Sequence, residues 1–294
     1  MEKYNYSITI THYNNPELLS RMLLSIPERN DIQVIVVDDA STEENKKKIS
    51  KLSHRNLDLI FTPENHGAGY ARNVGLLNAQ GKWLIACDCD DSFVEGAFDI
   101  LDKYKDFDLD YLCYCVQCLD ANSLHPNKRK LVSDQSVRAY IKKQNLKTCN
   151  LFKYLNTEPW NKMISLKFIR ENQIKWENCR INVDVYFSFQ VSMKANKFTA
   201  IPNVLYNFIG SPDSITRKKR SIEREFGFYI AAQKRNGFFK KIGLGYPFYR
   251  YEFLYLPYLL LKRGIKDTIL FYKYKHEHFD EVLKARKLYL SLIK

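Results

Sequence analysis

The sequence has no apolar run that approaches the roughly 18 residues needed for a membrane-spanning helix. It also has no amino-terminal stretch of the signal-peptide type. Its cysteines number seven, an odd count, so they cannot all pair with one another within the chain. Together these absences predict a cytoplasmic protein with neither a disulfide framework nor a helical membrane span.

Three of the cysteines, Cys113, Cys115 and Cys118, lie close enough together to suggest a metal site. No second cysteine pair with suitable spacing follows them, and tetrahedral zinc needs four ligands. They also alternate within the apolar segment 111–119, as residues of a strand do. We therefore predict that they are buried strand residues rather than metal ligands.

The net charge of +13 is concentrated at one end of the 294-residue chain. Residues 216–294 carry 19 Lys and Arg against 7 Asp and Glu, and they contain 17 of the 38 Phe and Tyr residues. This pattern predicts a body at 1–215 and a basic, aromatic, helical extension at 216–294. The extension favours an anionic membrane surface as partner, while the alternative is a set of helices that only packs on the body. No recognisable nucleic-acid motif accompanies these charges, so nucleic acid is not the predicted partner.

Strand and helix patterns alternate through the first 110 residues. The predicted strands are 7–11, 33–37, 57–61 and 82–87, and the predicted helices are 16–26, 41–52, 67–79 and 93–104. This series indicates an α/β fold with a mainly parallel, Rossmann-like sheet flanked by helices. Beyond residue 110 we expect a strand at 111–119, helices at 160–173 and 183–195, and short antiparallel edge strands at 198–201 and 204–209.

Three acids, Asp88, Asp90 and Asp91, follow the apolar strand 82–87. Carboxylates so close together repel one another unless solvent, backbone donors or a cation offset their charge. In open α/β sheets, ligands bind at the carboxyl ends of the strands. A divalent cation that also binds substrate phosphates fits this position. The simpler alternative is a polar turn before a helix, with Ser92 and Glu95 as a capping box.

Polar residues follow the other predicted strands at what is expected to be the same edge of the sheet. Thr11 and Tyr13 follow the first strand, Asp39 follows the second, and Arg72 lies in the helix after the third. A tyrosine ring can stack on a base, an aspartate can accept hydrogen bonds from a base or ribose, and an arginine can neutralise a phosphate or a carboxylate. Their joint placement predicts a nucleotide-diphosphate site.

Several ordered segments resemble family 2 glycosyltransferases of the GT-A fold. The segments are 8–14, 36–41, 69–75, 88–91, 159–163, 182–184 and 206–216. The resemblance covers roughly the first 215 residues. It implies a nucleotide-sugar half at about 1–110 and an acceptor half at about 111–215. Enzymes of this kind use nucleotide sugars to build capsule, lipopolysaccharide and related surface polysaccharides.

The resemblance also implies roles for individual residues on the donor side. Thr11, Tyr13 and Asp39 would bind the nucleoside, usually uridine, with Arg72 in support. In the D-x-D motif, Asp88 would face the ribose. Asp90 would ligate Mn²⁺ or Mg²⁺.

On the acceptor side, Asp184 occupies the place of the catalytic base. The family usually has Glu-Asp there, and Val183 replaces the Glu. Trp160 either lines the acceptor site or belongs to the core. Arg217 and Lys218 either close over the diphosphate as part of a lid or form a solvated charge run.

The resulting expectation is an inverting, metal-dependent transferase of a hexose or N-acetylhexosamine, peripheral on the inner face of a bacterial cell membrane. It would move the sugar from a UDP donor to a glycan or lipid-linked acceptor. One alternative is a sugar nucleotidyltransferase, but the segment 11–15 lacks the glycine-rich loop such enzymes need after the first strand. Another is a non-catalytic membrane- or nucleic-acid-binding protein on a degenerate sheet domain. The intact acids Asp39, Asp88, Asp90 and Asp184 argue against degeneracy.

Overall fold

The computed structural model describes residues 3–177, 183–210, 221–244 and 255–290. The chain forms two compact units, Met1–Pro212 and Asp213–Lys294. The strands, all in the first unit, are β1 (Tyr4–His12), β2 (Ile32–Asp38), β3 (Leu57–Phe61), β4 (Gly81–Asp88), β5 (Ser92–Phe93), β6 (Tyr111–Asp120), β7 (Lys162–Ser165) and β8 (Phe198–Gly210).

Eight helices belong to the described part of the first unit. They are α1 (Pro16–Leu24), α2 (Glu43–Ile49), α3 (Ala68–Asn78), α4 (Ala97–Leu101), α5 (Val132–Lys142), α6 (Leu146–Leu155), α7 (Leu166–Glu171) and α8 (Val183–Lys194). The second unit contributes α9 (Ile222–Lys241), α10 (Tyr255–Glu277) and α11 (Phe279–Leu290).

One eight-stranded sheet, in the order β3-β2-β1-β4-β7-β6-β8-β5, forms the centre of the first unit. Strands β3, β2, β1 and β4 are mutually parallel, as the alternating strand and helix pattern predicts. The second half is mixed, because β7 runs antiparallel to both β4 and β6 while β8 is parallel to β6. The predicted α/β class is confirmed.

Burial of the central strands on both faces explains their continuous apolar sequence. In β2, Val34 and Val36 belong to the core on one side of the sheet, and Ile35 and Val37 belong to the core on the other. Helices α1, α2 and α4 cover the first side. Helices α3, α5, α6, α7 and α8 cover the second side. This arrangement leaves the carboxyl ends of β1, β2 and β4 together at one edge.

Two predicted helix starts are wrong. Ser92 and Phe93 form the short strand β5 against β8 rather than the start of a helix, so the helix that follows is only α4. The residue before α2 that accepts the capping hydrogen bond is Thr42, from the backbone N–H of Asn45. Ser41 instead donates its hydroxyl to Asp38.

Two predictions for the second half of the sheet also need correction. The segment predicted as a helix at 160–173 begins with strand β7, and only α7 is helical. The two predicted antiparallel edge strands form one strand, β8, which is parallel to β6 and antiparallel only to β5. In contrast, the prediction for Cys113, Cys115 and Cys118 is confirmed, because all three are buried, unpaired residues of β6.

The second unit is helical, with a small core of its own. That core contains Phe226 and Tyr229 from α9, Leu259 and Phe271 from α10, and Val282 from α11. Helix α10 is interrupted at Gly264, where φ is 79° and ψ is 174°. Among the described helices, none combines the length and the apolarity that a membrane crossing requires.

Candidate functional site

The strand register joins residues of β1, β2 and β4 at the carboxyl edge of the sheet. Thr11 of β1 lies beside Asp88 of β4, and His12 lies beside Asp38 of β2. Continuous parallel pairing from Tyr6 onward sets these positions, so the edge is a direct consequence of the apolar strands.

The three acids after β4 form a compact cluster. One carboxylate oxygen from each of Asp88, Asp90 and Asp91 lies within 4.8 Å of the other two. Asp91 accepts a 2.7 Å hydrogen bond from the backbone N–H of Ile209 through Oδ1. Its buried Oδ2 has no hydrogen-bond partner in the structure. A cluster of carboxylates with a buried, unpartnered oxygen fits a divalent cation that prefers oxygen ligands.

Burial and the mutual repulsion of the carboxylates determine the electrostatics of the cluster. Burial, together with the neighbouring Asp88 carboxylate, raises the pKa of Asp90 to about 6. Burial and the other two acids also raise the pKa of Asp91 well above its usual range. The guanidinium of Arg21, on α1, donates to the backbone carbonyl of Asp90 and opposes the rise at that residue. A bound cation reverses such shifts, because it favours the charged carboxylates.

Arg72 of α3 connects this cluster to a fourth acid. Its side chain is only 5% exposed. One terminal nitrogen donates to Asp88 and the other donates to Oδ1 of Asp184, both at 2.6 Å. One buried guanidinium therefore joins the first acid of the D-x-D motif to an acid about a hundred residues later.

Asp184 lies in the first turn of α8, where the helix dipole favours a negative charge. Its Oδ1 accepts a second hydrogen bond, at 3.1 Å, from the indole Nε1 of Trp176. Burial raises the pKa of Asp184 to about 6, although Arg72 opposes this, and the Asp88 carboxylate adds to the rise. About a quarter of the side chain, 26%, stays exposed. An accessible carboxyl group that titrates near neutrality has the properties of a general base.

Two further residues of α3 hold the segment that carries Trp176. The side-chain amide of Asn73 donates to the carbonyl of Trp176 at 3.0 Å and accepts from its backbone N–H at 2.9 Å. Gly69 allows the close approach, since a Cβ at this position would lie 2.2 Å from the carbonyl oxygen of Glu177. The Trp176 ring also stacks on Phe187 of α8, with centroids 3.7 Å apart.

Of the residues predicted to bind the nucleoside, Tyr13 and Asp39 differ in their accessibility. The Tyr13 side chain, just after β1, is 49% exposed. The Asp39 carboxylate is buried and accepts hydrogen bonds from the backbone N–H groups of His66 and Gly67, at 3.0 and 2.7 Å. The Thr62 hydroxyl lies 3.4 Å from Oδ1 as a further donor, so the acceptor capacity that remains is on Oδ2. Asp39 thereby also fixes the loop that leads into α3.

A buried network supports the loop that carries Tyr13. His12 accepts at Nε2 from the backbone N–H of Asn15, so its proton lies on Nδ1 and is donated to Asp38 at 2.7 Å. The Ser41 hydroxyl donates to the same carboxylate and accepts from the backbone N–H of Asn14. Although burial opposes the change, the bonds from His12 and Ser41 lower the pKa of Asp38.

The predicted acceptor and lid residues have different outcomes. Trp160 is buried in the core, where its ring stacks on Tyr206 with centroids 5.4 Å apart, and its acceptor role stays a prediction. Arg217 and Lys218 lie outside the described residues, so the lid also stays a prediction.

Sequence reasoning missed Arg21, Asn73 and Trp176. Asn73 had a local signal, because it directly follows Arg72 within a segment that carries the family resemblance. Trp176 had none, because its contact with Asn73 joins residues 103 positions apart. Arg21 is in the last turn of α1, where a basic residue is ordinary helix chemistry.

The sequence is similar to those of known glycosyltransferases. The sequence profile of the family described as "Glycosyl transferase family 2" matches residues 7–178, which is more than half of the chain. A cholesterol galactosyltransferase of Borreliella burgdorferi is 24% identical over 94% of this chain and 82% of its own length. The Escherichia coli UDP-Glc:α-D-GlcNAc-diphosphoundecaprenol β-1,3-glucosyltransferase WfgD is 22% identical over 72% of this chain and 89% of its own length.

The fold is that of a solved glycosyltransferase. The crystal structure of S. aureus TarS 1-349 in complex with UDP-GlcNAc aligns with a TM-score of 0.61 and 19% sequence identity. The alignment covers 78% of this chain and 64% of the TarS chain, which is less than two thirds of that chain. This likeness confirms the predicted GT-A fold.

Proposed function

The chain belongs to glycosyl transferase family 2, and from that premise we propose that it transfers a sugar from a UDP donor to a hydroxyl group with inversion at the anomeric carbon. It is a glycosyltransferase, so the nucleotidyltransferase and non-catalytic alternatives are set aside. The observation that carries the proposal is Arg72, whose two terminal nitrogens hold a D-x-D carboxylate and Asp184 side by side.

The donor is a uridine diphosphate sugar, bound at the carboxyl edge of the sheet. Tyr13 offers an exposed ring for the base, while Thr11 and Asp39 hydrogen-bond the nucleoside. Asp88, which lies beside Thr11 in the register, faces the ribose, and Arg72 supports it. TarS has been solved with UDP-GlcNAc and with UDP, and WfgD is named for a UDP-glucose donor, which supports the choice of nucleotide.

The acid cluster would hold Mn²⁺ or Mg²⁺ through Asp90. When bound, the ion offsets the negative charge that develops on the departing diphosphate. The unpartnered Oδ2 of Asp91 lies in the same cluster and supports the presence of a cation there. Arg21 holds the backbone at Asp90 and so keeps the ligand in place.

Asp184 acts as the base. Its Oδ1 is occupied by Arg72 and Trp176, and among the described residues nothing donates to Oδ2. Oδ2 takes the proton from the acceptor hydroxyl as that oxygen bonds to the anomeric carbon. The bond from this carbon to the diphosphate oxygen breaks on the opposite face, so the configuration inverts.

The acceptor is a glycan or a lipid-linked sugar in the synthesis of a surface polysaccharide. The name of WfgD supports this class, since that enzyme acts on a diphosphoundecaprenol-linked sugar. The Borreliella enzyme is named for a different acceptor, cholesterol, which is also a lipid. Such acceptors are held in membranes. We therefore also propose that the basic residues of the second unit bring the protein to the anionic inner face of the bacterial membrane.

The test is release of UDP from a panel of UDP-hexoses and UDP-N-acetylhexosamines, with and without Mn²⁺. We expect Asp184→Asn to lower kcat by about 10²- to 10⁴-fold, because the proton acceptor is lost. The change in donor KM should be smaller, because the Asn oxygen can still accept from Arg72 and Trp176. In Asp90→Asn, the addition of Mn²⁺ should no longer increase the rate of UDP release. Asp106→Asn, at an exposed acid that pairs only weakly with Lys82, is the matched control and should behave as the wild type.

Two results would contradict the proposal. A wild-type kcat in Asp184→Asn would show that Asp184 is not the general base. Failure of every UDP-sugar to bind in the presence of Mn²⁺ would show that the donor is not a UDP-sugar.

A further inference from the structure

Several large aliphatic side chains of α10 are exposed, on both sides of its interruption at Gly264. We call five of them the α10 stripe: Leu256 (46% exposed), Leu260 (41%), Leu261 (85%), Ile265 (72%) and Ile269 (65%). Leu256 and Leu260 are four residues apart before the interruption at Gly264, and Ile265 and Ile269 are four apart after it. Each pair therefore lies on one face of its helical segment.

The stripe is not needed for the core of the second unit. A different side of α10 supplies that core, through the fully buried Leu259 and Phe271. Soluble proteins rarely leave so many large aliphatic side chains of one short segment in water without a partner for them. The α10 stripe is therefore a surface that binds something.

The charges beside the stripe indicate what it binds. Lys262, Lys266 and Lys273 are exposed on the same helix. The one acid between residues 256 and 276 is Asp267, and Arg263 neutralises it with a 3.2 Å ion pair. Exposed aliphatic residues flanked by lysines match an interface with acyl chains below and anionic headgroups around it. A purely apolar partner would offer no anionic group to these lysines.

We propose that the α10 stripe inserts into the surface of an anionic lipid bilayer, with Lys262, Lys266 and Lys273 on the headgroups. The inference rests on the proposed work of this protein at a membrane, and it names the residues that make the contact. In this contact the aliphatic side chains reach the acyl boundary, and the lysines stay at the level of the headgroups.

The experiment is flotation of the full chain with vesicles of phosphatidylcholine, with or without phosphatidylserine. We expect the wild type to float only with phosphatidylserine. The triple variant Leu261→Ser, Ile265→Ser, Ile269→Ser should bind at least about tenfold more weakly, because the apolar insertion is lost. Lys262→Gln, Lys266→Gln, Lys273→Gln should bind about a hundredfold more weakly, at about fivefold for each lysine.

The matched control removes three exposed leucines from the first unit instead. Leu24→Ser, Leu77→Ser, Leu146→Ser changes the same number of large exposed aliphatic residues, on α1, α3 and α6. This variant should float as the wild type does. Melting temperatures of all variants should match, since every substituted side chain is exposed.

Three outcomes overturn the proposal. The first is flotation of the triple Ser variant of the stripe at the wild-type level, and the second is failure of the wild type to float with either vesicle. The third is a wild-type protein that is a dimer while the triple Ser variant of the stripe is a monomer. The last result would assign the stripe to a second copy of the chain. Donor hydrolysis in solution, measured on the same preparations, needs no vesicle. Its persistence in a protein that does not float would reject the membrane contact while leaving the glycosyltransferase proposal intact.

Discussion

Replacing Trp176 with Phe tests whether the indole N–H keeps the base ionised. The substitution removes one of the two donors to Asp184 Oδ1 while retaining an aromatic ring against Phe187. A hydrogen bond to a charged group contributes about 1.5–3 kcal/mol, and one pKa unit corresponds to about 1.4 kcal/mol. The pKa of Asp184, now about 6, should therefore rise by about one to two units.

The rise makes the loss of activity dependent on pH. At pH 6 the ionised fraction of the base falls from about half to between about 0.1 and 0.01, so kcat/KM should fall roughly 5- to 50-fold. At about pH 9 the base is ionised in both proteins, and the rates should converge. The assay is UDP release across this pH range with saturating Mn²⁺.

Trp83→Phe is the matched control for Trp176→Phe. Trp83 is equally buried, and its indole N–H donates to the carbonyl of Lys105 at 2.8 Å, near the end of β4 away from the acids. This variant should lose stability without a shift of the pH profile. If Trp176→Phe leaves the acid limb of the profile where it is in the wild type, or lowers activity equally at every pH, the indole does not tune the base.

The acid cluster and the α3 contact yield two predictions about stability. The pKa of Asp90 is about 6 in the folded protein and near 3.8 when unfolded, so the unliganded protein should lose stability as pH rises from about 4 to about 6. The substitution Asp90→Asn introduces a side chain that does not ionise, so it should raise the free energy of unfolding at pH 7 by about 1–3 kcal/mol, measured by calorimetry. The same variant should no longer be stabilised by Mn²⁺. An unchanged or lower stability would refute this. Gly69→Ala, which places a Cβ 2.2 Å from the Glu177 carbonyl oxygen, should cost about 1–3 kcal/mol in urea unfolding. Gly237→Ala, in open space on α9, should be neutral or slightly stabilising, and equal effects of the two would contradict the close packing.

Most of the first half of the fold is readable from sequence because β1, β2 and β4 are buried almost throughout. Helical segments separate the strands along the chain, so their type and order follow from the pattern. The prediction for β3 has the same bounds as the strand. The shared strand-end position of Thr11, Asp38 and Asp88 also follows, because consecutive parallel strands end at the same edge.

The second half depends on contacts that a local pattern does not contain. Strand β7 is only four residues long and forms because β4 and β6 flank it with free edges. Strand β5 has two residues, and its pairing partner Tyr206 is more than a hundred residues away. Ser92 satisfied the capping pattern in sequence, yet its pairing with Asn207 in the sheet prevailed over the local propensity.

The candidate site also combines residues that sequence reveals with residues that it does not. The acids at strand ends are visible in sequence, while Trp176, which donates to the proposed base Asp184, is not. What joins the two is one face of α3. Gly69, Arg72 and Asn73 stand at helical spacings of three and four residues and so point to the same side.

Each of these three residues of α3 makes a different connection across the site. Gly69 admits the backbone at Glu177, Arg72 joins Asp88 to Asp184, and Asn73 holds the backbone of Trp176. The resemblance to the family assigns Arg72 to the nucleotide alone, whereas it contacts Asp184 as closely as Asp88. Helix α3 therefore links the acids after β4 to Asp184, the proposed base. A displacement of this helix would alter the position of Asp88 and the proton affinity of Asp184 together, because both side chains bind the same guanidinium.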